Sequence, residues 1–156
     1  MKIFIDADAC PKVIKKILYR AANRAQVELV LIANKVLSIP SSNWIKSIQV
    51  SSGFDIADNY IIEQVNSGDL VVTCDIPLAA EVIEKGAQVI NHRGEKYNRN
   101  NIRPRLNMRD FMEGLRSSGE ITGGPPPLNY PDRQAFANVL DQILTKLKKD
   151  SSNKHE

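Results

Sequence analysis

The sequence has little that could hold it together from outside. Only two of its 156 residues are cysteine, Cys10 and Cys74, and neither belongs to a Cys-x-x-Cys pair. That argues against a disulfide framework or a cysteine zinc cage and suits a reducing compartment. No apolar run approaches the roughly 20 residues needed to span a bilayer. The apolar part of the opening Met1-Lys2-Ile3-Phe4-Ile5 is too short to read as a signal peptide, and Asp6 and Asp8 follow it. No internal repeat is present. These absences predict a cytoplasmic globular protein with no membrane partner.

The composition is that of such a protein, 42% hydrophobic and 25% charged. A chain of this size buries roughly 70% of its unfolded surface and needs no staples. One domain is expected over residues 1–149, with a core over 1–92, a basic segment and C-terminal helices over 93–149, and a disordered tail over 150–156. The net charge of +3 is unevenly spread. Residues 1–92 are slightly acidic, and residues 93–156 carry the basic excess. An acidic cluster beside a basic region fits a metal site next to a polyanion-binding surface, although solvated surface charge gives the same pattern.

Lys2 to Asp6 reads as a buried strand, as do Val27 to Ala33 and, more weakly, Ile45 to Val50. Leu70 to Thr73 and Gln88 to Asn91 complete a set of five. Pro11 is suited to the first turn of a helix, and Val13, Ile14, Ile17, Leu18 and Ala21 continue at helical spacing to about Ala25. Ser52-Gly53 breaks the chain before a helix carrying Phe54, Ala57, Ile61, Ile62 and Val65. Pro77 opens another that runs to about Glu84, with Gly86 as its stop. Strands alternating with helices imply parallel βαβ units and a sheet covered on both faces. Beyond residue 92 the pattern changes. Residues 93–106 are basic and poor in apolar groups. Helices are expected at Asn107 to Leu115 and, amphipathic, at Arg133 to Lys149, joined by a loop containing Gly123-Gly124-Pro125-Pro126-Pro127.

Ligands of open α/β sheets bind beyond the carboxyl ends of the strands. Asp6 and Asp8 close the first strand, Asp75 stands just past the fourth, and Asp55 and Asp58 open the helix after the third. All five acids therefore fall at one edge. Gathered there they repel one another and raise their pKa values. A hard divalent cation such as Mg²⁺ or Mn²⁺ removes that cost, and two metals about 4 Å apart stabilise attacking and leaving oxygens in phosphoryl chemistry. Each acid also has a plainer role. Asp75 and Asp55 suit helix caps. Asp6 ends a buried strand and Asp58 lies inside a helix, so neither is needed as a cap. Thr73 and Ser51 or Ser52 are placed to hydrogen-bond the carboxylates. Cys10 and Cys74 read as small buried apolar groups and His92 as structural.

Met1-Lys2-Ile3-Phe4-Ile5-Asp6-Ala7-Asp8-Ala9-Cys10-Pro11 resembles the opening of the YaiI/YqxD family of bacterial proteins. So do Ser52-Gly53-Phe54-Asp55-Ile56-Ala57-Asp58, Thr73-Cys74-Asp75-Ile76-Pro77-Leu78-Ala79, Asn91-His92-Arg93-Gly94, the Arg109-Asp110 region and the Gly-Gly-Pro-Pro-Pro stretch. The resemblance spans about residues 1–130. That family is regarded as similar to PIN domains. The likeness implies a three-layer α/β/α fold with a central, mostly parallel sheet and a C-terminal helical extension. It also implies metal-dependent cleavage of RNA or of single-stranded or flap DNA. Under it Asp6, Asp58 and Asp75 match the catalytic acids, and Asp8 and Asp55 are extra acids of this family's own motifs. One departure stands out: after Asp75, where PIN domains place a further acid, the chain offers only Glu81 and Glu84.

Arg93, Lys96, Arg99, Arg103 and Arg105 crowd a segment opposed only by Glu95, with Tyr97 as a stacking face. They are the expected nucleic-acid contacts. A nuclease using Mg²⁺ or Mn²⁺ is the leading expectation, with RNA the first partner to consider. A metal-stabilised nucleic-acid-binding module without turnover is the alternative. The opening Asp-x-Asp also resembles haloacid-dehalogenase-type phosphatases, which need a later lysine and a second acidic cluster after a strand; here Asp75 stands alone after its strand and no acidic pair follows a later one. A homodimer through the last helix is allowed by its apolar face.

Overall fold

The computed structural model describes residues 1–53, 55–119 and 126–153, with backbone alone over 148–153. Phe54 and the Gly123-Gly124-Pro125 part of the loop therefore lie outside the described residues. The elements run β1 (Lys2–Asp6), α1 (Lys12–Ala25), β2 (Glu28–Ala33), β3 (Ile45–Gln49), α2 (Ile56–Gln64), β4 (Leu70–Val72), α3 (Ile76–Glu84), β5 (Gln88–Ile90), β6 (Lys96–Tyr97), α4 (Ile102–Ser117) and α5 (Tyr130–Asn153).

The six strands form one sheet in the order β3-β2-β1-β4-β5-β6. All pairs are parallel except β5 with β6. Period-two alternation then sorts side chains to two faces. Ile3, Ile5, Leu29, Leu31, Leu70, Val72 and Ile90 meet α1 and α5 on one face. Phe4, Val30, Ile32, Val71 and Val89 meet α2 and α3 on the other. The central strands are buried on both sides, as parallel sheets require. This is a three-layer α/β/α fold.

The strand order reverses between β1 and β4. That is the topological switch point, where ligands of doubly wound sheets bind. Asp6 ends one strand of this pair and Asp75 follows the other.

The C-terminal region departs from expectation in its details. A short strand, β6, forms inside the basic segment for which no element is expected, because Tyr97 is buried and pairs with Val89. Helix α4 begins at Ile102, five residues before the expected start. The Asn98 side-chain oxygen accepts the N–H of Asn100 at 2.9 Å and of Asn101 at 3.1 Å, while Asn101 returns a bond to the Asn98 N–H at 2.8 Å. This double turn launches the helix. Pro104 falls in its first turn, where N–H groups have no intrahelical partner anyway. Helix α5 continues past Lys149 to Asn153.

Phe136, Leu140, Ile143 and Leu144 of α5 are buried with Ile14, Leu18, Ala21 and Ala22 of α1. The apolar face thought available for a homodimer is thus filled within the chain. Among the described residues no helix is long and apolar enough to cross a membrane.

The Asn91-His92-Arg93-Gly94 motif clips α5 onto the sheet. Asn91 Oδ1 accepts the N–H groups of Arg93 and Glu95, and its Nδ2 donates to the Tyr97 hydroxyl. Arg93 pairs with Asp132 and donates to the Pro126 carbonyl. Gly94 sits at φ +84°, where an added Cβ would lie 2.7 Å from the Ala135 oxygen. Glycine alone permits both that backbone and that approach.

Candidate functional site

Asp6, Asp8, Asp55 and Asp58 line one cleft of about 130 Å³ at the carboxyl edge, together with Asn34, Val50, Ser51, Gly53 and Ala57. The elements that bring them there are β1, the turn after β2, the connection after β3 and the first turn of α2. Asp75 stands at the side of the same cluster, its charge acting on both Asp6 and Asp58. Ser51 lines the cleft; Ser52 is exposed and does not.

Backbone N–H groups fix three of these carboxylates. Asp6 Oδ1 accepts from Asp8 N at 3.1 Å, Asp8 Oδ2 from Asn34 N at 2.8 Å, and Asp75 Oδ1 from Leu78 N at 2.9 Å. Asp75 also shares a hydrogen bond with Asp58, and the Ala9 N–H acts on Asp6 beside that of Asp8. Thr73 is buried and its hydroxyl accepts the Asp75 N–H at 3.0 Å, which shapes the turn that presents Asp75.

Asp75 is therefore a genuine helix cap as well as a member of the cluster. Asp55 occupies the corresponding position of α2 but makes no side-chain cap bond, and its backbone is left-handed at φ 61°. Such a conformation costs a non-glycine residue about 1 kcal/mol or more. Helix capping does not account for this aspartate.

The electrostatics reflect crowding. Desolvation holds the Asp6 carboxyl above its ordinary value, and the charges of Asp8 and Asp75 add to that, against the lowering effect of the Asp8 and Ala9 N–H groups. Asp58 is pushed up to about 6, first by desolvation and then by the charges of Asp75, Asp6 and Asp55, with a hydrogen bond to Asp75. A set of partly desolvated, like-charged oxygen donors suits a hard divalent cation. Among the described residues, however, no three His, Cys, Asp or Glu side chains are gathered tightly enough to form a ready-made metal cage. The arrangement is an open one.

Glu81 and Glu84 do not join it. They line a separate groove between α3 and α4 with Arg99, Arg103 and Asp110. Asp8 and Asp55, not these glutamates, are the acids that accompany Asp6 and Asp58 in the cleft.

The basic residues are not gathered at this edge. Arg93 is near it but engaged with Asp132 and Pro126. Arg105 pairs with Glu95 and lies 5.8 Å over the Tyr97 ring. Lys96 lies on the edge strand. Arg99 lines clefts shared with Gly86 and Gln88 and with Glu84, at the amino end of β5, and Arg103 shares the second of these. The cation that sequence reasoning missed is Lys35. It follows Asn34, which lines the acidic cleft, and is exposed. Its position two residues past the end of β2 was the signal.

Cys10 is buried, and desolvation pushes its thiol up to about 12, so it is inert at neutral pH. Cys74 is exposed, contrary to expectation, because it lies beyond the last buried residue of the β4 edge, Thr73. Burial and the neighbouring Arg93 lower the His92 pKa and hold it neutral at pH 7.

Fold and site together define a doubly wound α/β domain with an acidic cleft at the carboxyl edge of its sheet, beside the switch point. The chain belongs to the family described as uncharacterized BCR, YaiI/YqxD family, whose model matches residues 4–146. It is 61% identical over 151 residues to a UPF0178 protein of Saccharophagus degradans, covering 97% of this chain and 100% of that one. It is 62% identical over 146 residues to one of Hydrogenovibrio crunogenus, covering 94% and 97%. A UPF0178 protein of Hahella chejuensis is 59% identical over 149 residues, covering 96% and 99%. No solved structure matches the chain.

Proposed function

We propose that this protein is a Mg²⁺- or Mn²⁺-dependent nuclease of PIN-like type, acting in the cytoplasm on RNA or on single-stranded or flap DNA. The observation that carries the reading is the convergence of Asp6, Asp8, Asp55 and Asp58 on one cleft, beside Asp75 at the switch point. The carboxylates of Asp6, Asp8 and Asp75 are the donors that would hold the cation. A divalent cation there supplies Lewis-acid stabilisation of phosphoryl charge. Asp58, pushed up to about 6, is tuned to take a proton from an attacking water near neutral pH. Thr73 and the Leu78 N–H keep Asp75 in place. Exposed Lys35, Lys96, Arg99 and Arg103 are the cations available to a polyanion. The free thiols of Cys10 and Cys74 agree with a reducing compartment.

The test is calorimetric titration of Mn²⁺ into the wild-type chain, Asp6→Asn and Asp75→Asn, followed by incubation of each with labelled single-stranded RNA. Saturable binding and cleavage in the wild type, both lost in the two variants with circular dichroism unchanged, support the proposal. Metal and RNA binding without cleavage assigns the non-catalytic binding module instead. Equal heats in all three proteins remove the shared metal site and the nuclease reading with it.

A further inference from the structure

The cations of the basic segment divide into paired and unpaired. Arg93 is held by Asp132 and Arg105 by Glu95. Lys96 and Arg99 form no ion pair among the described residues. Both line a cleft of about 310 Å³ at the β6 edge of the sheet.

The cleft exists because β6 is only two residues long. It pairs with Val89 and Ile90 and leaves Gln88, the first residue of β5, without a partner on that side. Ile83 of α3 and Ile143 of α5, from opposite faces of the sheet, line it together with Val89, Ile90 and Tyr97. The lining residues include no Asp or Glu. Gln88 and Asn98 supply amides. The Asn98 oxygen already accepts two N–H groups, so its NH₂ is the part left to donate outward. The position is remote from the aspartates. Gly86, Ala87 and Gln88 mark the amino end of β5, whereas the acids lie beyond the carboxyl ends.

An apolar slot of this volume with two unpaired cations and two amides at its rim matches a flat, hydrogen-bonding ring that carries a phosphate. A long acyl carboxylate would satisfy the cations but leave the amides of Gln88 and Asn98 unused. We propose that the Lys96–Arg99 cleft binds one nucleotide unit, with the base against the aliphatic walls and the phosphate on the two cations. The unit is either a free mononucleotide or one residue of a strand. Neither source requires the aspartate site to hold metal.

Calorimetry of the full chain in EDTA, with AMP and the 5′-phosphorylated trinucleotide pApApA as probes, tests this. Saturable binding is expected. It should weaken at least about tenfold in Lys96→Ala and in Arg99→Ala, the loss expected for one charge-assisted hydrogen bond. Gln88→Trp, which fills the slot from an exposed position, should abolish it. Asp6→Asn should bind as the wild type does, which separates this site from the metal-dependent reading. Tighter binding of pApApA than of AMP identifies a strand as the source, and equal binding identifies a free mononucleotide. The proposal is overturned by absence of saturable heat with both probes, by binding that survives the Lys96→Ala/Arg99→Ala pair, or by binding lost in Asp6→Asn. Saturable binding of octanoate with none of AMP overturns it as well.

Discussion

Asp55 and Asp75 stand at the amino ends of successive helices, yet only Asp75 closes a cap. Its Oδ1 accepts the Leu78 N–H at 2.9 Å, while the Asp55 side chain accepts none and its backbone lies at φ 61°. The two should therefore respond oppositely to substitution. Asp75→Ala should lose about 1 kcal/mol of stability, and Asp75→Asn, which retains a cap, should be close to neutral. Asp55→Gly relieves the left-handed strain and should gain a few tenths to about 1 kcal/mol. Urea unfolding in EDTA measures all three. Loss of stability in Asp55→Gly would show that Asp55 has a structural role the geometry does not reveal.

Asp58 predicts a pH dependence of definite sign. Its folded-state pKa is about 6 against an ordinary 3.8, so the folded chain holds this proton more tightly than the unfolded chain does. Metal-free stability contributed by Asp58 is fully present below about 3.8 and falls as pH rises through about 6. Mn²⁺ must displace the same proton, so its affinity should rise over that interval and level off above it. Asp58→Asn should flatten the stability curve. Denaturation midpoints and Mn²⁺ titrations at a series of pH values read both effects; a wild-type affinity independent of pH would remove Asp58 from the site.

The strands β1, β2, β4 and β5 were legible because each is a short apolar run bounded by turn residues, as a parallel sheet buried on both faces requires, whereas β3, with Lys46, Ser47 and Gln49 exposed, gave a weaker signal. The aspartates were legible because strand ends share one edge in this topology. The arginines were not. Sequence places Arg93, Lys96, Arg99, Arg103 and Arg105 in one stretch, but β6 reverses direction at Glu95 and carries the chain back toward the amino edge. Arg93 and Arg105 then meet partners distant in sequence or across that turn, Asp132 and Glu95. Strand β6 itself is hidden because two residues show no period, and its one buried side chain, Tyr97, looks from the sequence like a stacking surface.

Cys74 and Cys10 should differ sharply toward a thiol reagent. Cys74 is exposed, its thiol raised by partial desolvation against the lowering effects of the His92 backbone and Arg93, whereas Cys10 is buried and pushed up to about 12. Native protein should react with one equivalent of dithiobisnitrobenzoate, and the second should appear only in denaturant. Mass mapping should assign the native adduct to Cys74. Rapid labelling of both in native conditions would mean that α1 opens readily from the β1 end.

Gly94 offers a test of how the C-terminal helix is fastened. A Cβ there would meet the Ala135 oxygen at 2.7 Å and the Phe136 nitrogen at 3.0 Å, at a backbone φ of +84°. Those atoms are main chain and cannot swing aside, so Gly94→Ala should lift the start of α5 and draw Phe136 from the core. The expected loss is about 2 kcal/mol or more, since conformational strain and lost packing act together. Arg93→Ala removes the ion pair to Asp132 and the bond to the Pro126 carbonyl, but leaves the main chain in contact. It should cost less, about 1 to 2 kcal/mol for a half-buried pair with exposed neighbours. Hydrogen exchange separates local from global effects. If α5 docks through this clip, amides at its amino end lose protection in Gly94→Ala while those of β1 and β2 keep theirs up to the lowered global limit. Uniform loss across the sheet would instead make α5 inseparable from the core that Phe136 and Leu140 complete.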